Sequence, residues 1–535
     1  MNLTNKNTLK QTGFMEIYGR IKPFSQPGQE KKEELEFFGQ GQETILEKQW
    51  DKFQLCLDLI HNDKQLEPIK HLRKIKQTDI INEEHSTWSK IELACLTSII
   101  NGIHELKDFL LEMPQNFWPL ELETIQLKKM LQPHAEKGEF SINPKFDPDL
   151  KKIRSLAAQA QNKYLELEKN QRTRIAELLG IKPVRLRTDL VVSRNNKQLL
   201  KEISKIKNLI KIDEDSNSLR FRLVGSKIID AARQKYFELQ KQTTKIERKI
   251  INRIALEIST HKQEILHALK TLGDFDLTLA KAMLSIDFNM TRPQLTSCCE
   301  FSFQEGINPV IRDQVINDGF EYQPLTISTS ARAVNIVGAN MGGKTAFLRT
   351  CGLFQLMTQY GLFIPAVHFS TSLFNSIYWT GATTDNPAKG LSSFGREITD
   401  LQNHLQQPLP LFLLLDEFAR TTDVEHGLAL SLALIDYELA SNSLSLSIFA
   451  GHIGEISNHP GVQGFEIGRL ELPSSLNKDK FDLNFLKKHM DYSVKEGRID
   501  KGDTPFKIAA FLGLEPEITD KAAKYVLKLT NISDI

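Results

Sequence analysis

The stretch VNIVGANMGGKTAFLR, Val334 to Arg349, reads as strand, glycine-rich turn and helix, and it decides the fold. Gly338, Gly343, Lys344 and Thr345 fit the pattern G-x-x-x-x-G-K-[ST]. Each residue type has a physical reason. Glycines let backbone N–H groups curl around phosphate oxygens, and the helix that follows aims its positive end at the same anion. Lys344 supplies a point charge at the β- and γ-phosphates, and the Thr345 hydroxyl is a ligand for Mg²⁺. The cradle runs from Gly338 to Ala346, with Ala339, Asn340, Met341 and Gly342 between the two glycines of the pattern. A purely structural turn would explain the glycines and leave Gly-Lys-Thr without a reason. The reading is therefore a site for a nucleoside triphosphate such as ATP.

Such a loop needs a carboxylate on a neighbouring strand. LPLFLLLDEFAR, Leu409 to Arg420, delivers Asp416 and Glu417 at the end of an apolar run. Asp416 is placed to hold Mg²⁺, directly or through water, and Glu417 to act as general base on the attacking water. LSIFAGHIGEI puts His452 at the end of another apolar strand, where a side chain reaches a γ-phosphate; the competing reading is a structural histidine. GLSSFGRE, with Ser392, Ser393 and Glu397, lies between the loop and the acidic pair and carries no meaning by itself.

From Leu325 onward short apolar strands (LTIST, VNIVG, SIYWTG, LFLLLDE, LSIFAGH) alternate with helical stretches. That alternation predicts a parallel sheet in an α/β domain. Apolar and charged fractions of 40% and 25% are those of an ordinary soluble protein, and a net charge of +1 confines any nucleic-acid contact to a local patch. Cys56, Cys95, Cys298, Cys299 and Cys351 form an odd, scattered set, which points to reduced thiols rather than a disulfide framework or zinc site. MNLTNKNTLKQ lacks the apolar core of a signal peptide, and no apolar run is long enough to span a bilayer. The expectation is a cytoplasmic protein without membrane contact.

Upstream, residues 1–85 read as a polar, helical module in which SQPGQEKKEELEFFGQGQ is a solvated loop. Residues 86–180 carry helical spacing and end in a long charged helix stopping at Gly180, a projecting arm. Residues 181–224 change character: VRLRTDLVVS and NSLRFRLVG alternate as strands. There Lys182, Arg185, Arg187, Arg194, Lys197, Lys201, Lys205, Lys207, Lys211, Arg220 and Arg222 outnumber the five acidic residues. Residues 225–295 return as a long helix, a break at Gly273 and a further helix. This is a lever geometry with a small basic tip, which either grips a polyanion through its phosphates or is simply a solvated face. Residues 296–475 hold the nucleotide domain and 476–535 a helical segment.

Taken together, these motifs resemble the MutS family of ATPases, relatives of the ABC ATPases. GANMGGKTAFLRTCGLFQLMTQYGLFIPA resembles that family's G-P-N-M-G-G-K-S-T run and the helix after it. LSSFGRE is similar to its S-T-F-M-x-E signature, DEFARTTDVEHG to D-E-x-G-R-G-T-S-x-x-D-G, and FAGH to A-T-H. EGINPVI, DFDLTLAKAML and YSVKEGRIDKGD also find counterparts. The resemblance implies a P-loop α/β domain of ABC type, preceded by a mainly helical lever domain with a small clamp-like tip. It implies that Phe320 stacks on adenine, that Asn340 helps position the lytic water, and that Ser392 meets the γ-phosphate bound by a partner subunit. The implied assembly is a homodimer or a MutS-like heterodimer, reinforced by the C-terminal helices. Ala339, Gly395-Arg396, Thr421 and His426 depart from the family pattern, and residues 1–85 are expected to lack a Phe-x-Glu mismatch wedge. The expectation is a short member without the mismatch-reading domain. Its implied function is an ATP-gated, dimeric DNA clamp of the mismatch-repair or recombination class, contacting DNA through residues 181–222. The alternative is a protein client: reactivation of a cobalamin-dependent aminomutase.

Overall fold

The computed structural model describes residues 3–82, 88–121, 124–131, 142, 147–339, 342–381, 393–441, 443–470 and 488–497, with 506, 509, 514–515, 517–522 and 524–525 beyond them. The chain divides into two compact units, Met1–Arg73 with Leu272–Ile535, and Lys74–Thr271.

The first unit is built on a six-stranded sheet. Its order is Lys495–Glu496, Val462–Ile467, Ala333–Gly338, Leu446–Gly451, Leu411–Asp416, Ser376–Gly381. All neighbours run parallel except the pair made by Lys495–Glu496. Four of the apolar runs read as strands lie in this sheet, where parallel strands buried on both faces need continuous hydrophobic side chains; the fifth, Leu325–Thr329, instead pairs antiparallel with Phe301–Gly306 and alternates in burial. Leu413, Leu414 and Leu415 are fully buried. Helices Lys344–Gln359, Ser393–Leu405 and Val424–Ala440 connect the strands. The first of these is buried almost all round rather than along one stripe. A second, four-stranded sheet (Gln294–Leu295, His368–Thr371, Phe301–Gly306, Leu325–Thr329) explains that: Phe303 and Phe369 meet Phe354 edge-on at 5.2 and 5.9 Å.

Residues 1–73 fold into this same unit. Phe14, Ile17, Trp50 and Phe53 are buried, and Phe53 stacks on Phe363 at 4.2 Å. The polar stretch expected as a solvated loop contains a helix, Gln26–Glu33, capped by the Ser25 side chain with Pro27 in its first turn. Nor does Gly273 break a helix: Lys227–Asp287 is continuous through it. Its missing side chain serves packing instead, since a Cβ there would stand 2.7 Å from the Pro27 carbonyl oxygen.

In the second unit Asp147 caps the helix Pro148–Leu179, which ends at Gly180 in the left-handed conformation. Beyond it three antiparallel strands, in the order Leu190–Ser193, Ser218–Leu223, Leu209–Glu214, join the helix Lys197–Ser204. Leu190, Val192, Ile203, Leu209 and Phe221 close a small core on Ile175 and Leu179. Tyr164 stacks parallel to Tyr236 of the long helix, and Arg154 pairs with Glu247 at 2.8 Å. Among the described residues no helix is long and apolar enough to cross a membrane.

Candidate nucleotide site

Strand register brings the motif residues together. Gly338 stands beside Ile467, Val337 beside Gly451, and Ala450 beside Asp416, so the strands' C-terminal ends form one rim. Ligands of open α/β sheets bind at such a rim. The loop's glycines are sterically required. A Cβ on Gly338 would lie 2.0 Å from the Ile467 carbonyl oxygen, and one on Gly342 2.8 Å from that of Ala339. Gly343 precedes the helix Lys344–Gln359 with φ of 90°, in the left-handed region.

Lys344 is 6% exposed and its Nζ donates to the carbonyls of Gly338 and Ala339 at 2.8 and 3.0 Å. Burial drags its ammonium from an ordinary 10.5 down to about 8, against the pull of Glu417 and Asp416. Thr345 Oγ1 donates to both carboxylate oxygens of Asp416, at 3.1 and 3.2 Å. A hydroxyl and a carboxylate side by side suit Mg²⁺, which takes one or two protein oxygens and fills its shell with phosphate and water. Among the described residues no cluster of three or more His, Cys, Asp or Glu side chains offers an all-protein site. Burial also holds the Asp416 carboxyl above the usual carboxylate range. A cation there would favour its charged form.

Glu417 sits just past the strand end with φ of 52°, its N–H continuing the ladder to the Ala450 carbonyl at 2.7 Å. Ala419 is left-handed too, with φ of 58°. Two such residues in one turn are strained, a feature that concentrates at functional sites. One Glu417 oxygen pairs with Arg420 and the other lies 3.5 Å from His452 Nε2. His452 Nε2 is also 3.5 Å from Lys344 Nζ, and its pKa is lowered, first by desolvation and then by that ammonium, so it stays neutral. Lys344, Thr345, Asp416, Glu417 and His452 therefore converge, although they come from three separate strand ends. Sequence reading gave Glu397 no role, yet its carboxylate accepts the Ala419 N–H at 3.3 Å; it also missed the Arg420 contact.

A cavity of about 270 Å³ opens beside the loop, lined by Ile311, Val315, Phe320, Tyr322, Gly343, Ala346 and Tyr492. Phe320 and Ala346 both line it. Tyr492 was not anticipated there. Its N–H donates to Gln323 Oε1 at 2.9 Å, and Gln323 in turn donates to Asp491, which pins the segment to the cavity wall. Nothing local marks it; only the likeness of YSVKEG to a family motif singles out this stretch. Asn340, Met341 and Ser392 lie outside the described residues.

The basic residues at 181–222 behave differently from the site. Arg222 pairs with Asp189 through two bonds of 2.7 and 2.9 Å, and Arg194 and Lys211 share Glu214. Lys205 pairs with Glu202, and Arg220 approaches Asp213 at 3.9 Å. Lys182, Arg185, Arg187, Lys197, Lys201 and Lys207 are exposed and hold no ion pair among the described residues.

Sheet order, glycine loop and acidic strand end define an α/β domain of P-loop type. Residues 334–530 match the family model described as MutS domain V. The chain is 26% identical over 302 residues to the DNA mismatch repair protein MutS of Methanococcoides burtonii, a match covering 55% of this chain and 32% of that protein. It is 25% identical over 400 residues to the DNA mismatch repair protein MutS of Solibacter usitatus, covering 73% and 43%. For the protein of the same description from Carboxydothermus hydrogenoformans the figures are 24% over 400 residues, 73% and 45%. The match to MutS domain V is confined to residues 334–530, and the chain spans less than half the length of these curated relatives.

Proposed function

We propose that this protein binds and hydrolyses ATP at the loop Gly338–Thr345 and uses the cycle to move its long helices. The convergence of Lys344, Thr345, Asp416, Glu417 and His452 carries the proposal. Lys344 would exchange the two loop carbonyls for β- and γ-phosphate oxygens, which restores a full counter-charge to a buried ammonium. Phe320 and Tyr492 would hold the adenine in the adjoining cavity. Mg²⁺, held by Thr345 and Asp416 with phosphate oxygens, would neutralise charge on the transferring group. Glu417, released from Arg420, would take the proton of the attacking water, while neutral His452 donates a hydrogen bond to the γ-phosphate. Asn340 would help orient that water. Ser392 of one subunit would complete the site of another, in a homodimer or a heterodimer with a related chain.

The client we infer is DNA, gripped through the six exposed, unpaired basic residues at 182–207 without base readout. Their side chains are free for phosphate, whereas the other basic residues there already face carboxylates. The test compares ATP turnover with homoduplex, mismatched and branched DNA at two salt concentrations. Stimulation that fades steeply with salt is expected. Absence of both stimulation and salt-sensitive binding would remove DNA and turn the search to a protein client.

A further inference from the structure

The strand Ser376–Gly381 lies at the edge of the six-stranded sheet, and an open edge ordinarily needs cover. Here a distant stretch of chain provides it. The Ile377 N–H donates to the Leu3 carbonyl at 2.9 Å, and Thr4 Oγ1 returns a bond to the Ile377 carbonyl at 2.6 Å. The Trp379 N–H donates to Thr8 Oγ1 at 2.9 Å, and Thr8 Oγ1 donates to Asn5 Oδ1 at the same distance. Asn5 Nδ2 then reaches His404 Nε2 at 3.3 Å, and His404 Nδ1 meets Thr380 Oγ1 at 3.2 Å. His404 is the penultimate residue of the helix Ser393–Leu405, buried and stacked on Tyr378 at 4.0 Å. With Asn5 donating to Nε2, the ring proton sits on Nδ1 and the imidazole is neutral.

The other end of the same short stretch touches the nucleotide loop's own helix. Gly352 of Lys344–Gln359 has no side chain because Thr12 occupies the space; a Cβ there would lie 2.6 Å from Thr12 Cγ2. Residues 3–12 therefore contact the P-loop helix, the edge strand and the end of the helix Ser393–Leu405. That last helix carries Glu397, whose carboxylate holds the turn after Glu417.

We propose that Leu3–Thr12 is a positioning strap, which fixes the helix Ser393–Leu405 relative to the P-loop helix and thereby sets the rate of ATP turnover without touching nucleotide. The proposal rests on the ATPase reading for its kinetic part only. Thr8→Val removes the hydroxyl at nearly constant volume and leaves the Trp379 N–H without its acceptor; Thr8→Ser keeps it.

Both variants are compared with the full-length chain. Without nucleotide, Thr8→Val should raise amide exchange about tenfold in Ser376–Gly381 and Ser393–Leu405, leaving Lys344–Gln359 unchanged. With ATP, its kcat should fall about tenfold while nucleotide Kd holds, the split expected of a residue that orients rather than binds. Thr8→Ser should restore both. Unchanged exchange in those two elements, or exchange raised evenly through the unit, would overturn the proposal. So would loss of nucleotide affinity in step with kcat. Should Thr8→Val not fold, Asn5→Ala, at the less buried end of the same network, allows the same comparisons. If the unaltered chain fails to hydrolyse ATP, the ATPase reading falls, and the exchange measurement still decides whether the strap holds the helix.

Discussion

Replacing Lys344 by methionine separates what the site costs the fold from what it does for a ligand. The ammonium is 6% exposed and its pKa stands near 8 instead of 10.5. At neutral pH both folded and unfolded chains carry the proton, so the displacement measures the penalty for burying the charge, about 3 kcal/mol at roughly 1.4 kcal/mol per pH unit. Methionine keeps the length and removes that penalty. It also removes two hydrogen bonds to the carbonyls of Gly338 and Ala339, together worth about 2 kcal/mol. The variant should therefore be about 1 kcal/mol more stable at pH 7 by chemical denaturation, while losing ATP affinity at least ~100-fold. The pH dependence adds a second check. Between pH 8 and 10.5 the unfolded chain binds the proton that the folded chain has released, so stability of the unaltered protein should rise through that window. ATP affinity should fall over the same window, by up to about tenfold per pH unit. Lys344→Met should show neither slope. A variant that is less stable and still binds ATP would show that Lys344 is a structural residue.

Other substitutions probe the remaining parts. Gly338→Ala forces a Cβ to within 2.0 Å of the Ile467 carbonyl oxygen, a backbone neighbour that cannot turn away. It should cost about 2 kcal/mol or more in denaturation and abolish nucleotide binding together. Phe320→Ala and Tyr492→Ala should each weaken ATP about tenfold and leave tripolyphosphate binding unchanged, as titrations of the two ligands would show. Reversing charge at Lys197 and Lys201 should weaken DNA binding for all sequences alike and lower the salt slope by about 1 for each phosphate no longer neutralised.

The α/β domain was legible because its signals are local. Gly-x-x-x-x-Gly-Lys-Thr and the strand ending in Asp416-Glu417 announce themselves over a few residues, and parallel strands buried on both faces leave uninterrupted apolar runs. The helix Pro148–Leu179 was legible for a similar reason, with Pro148 at its start and Gly180 at its stop. What escaped depends on pairings between distant positions. Leu3 meets Ile377 from a distant part of the chain, and no periodicity announces such a pair. Gly273 was misread because glycine's two uses, breaking a helix and admitting a close neighbour, look alike in sequence; here Pro27 is the neighbour. Tyr492 escaped because its position follows from Gln323, far away in the chain.

Single-turnover ATP hydrolysis by Glu417→Gln, with nucleotide binding followed in the same samples, reaches the heart of the matter. Glutamine keeps the size of the side chain facing Arg420 and His452 but cannot take a proton from water. The expected result is ATP binding within about twofold of the unaltered chain and hydrolysis reduced at least ~100-fold, the range of a lost general base. Turnover that persists in Glu417→Gln while ATP remains bound would mean that Glu417 is not the base and that the chemistry is carried elsewhere.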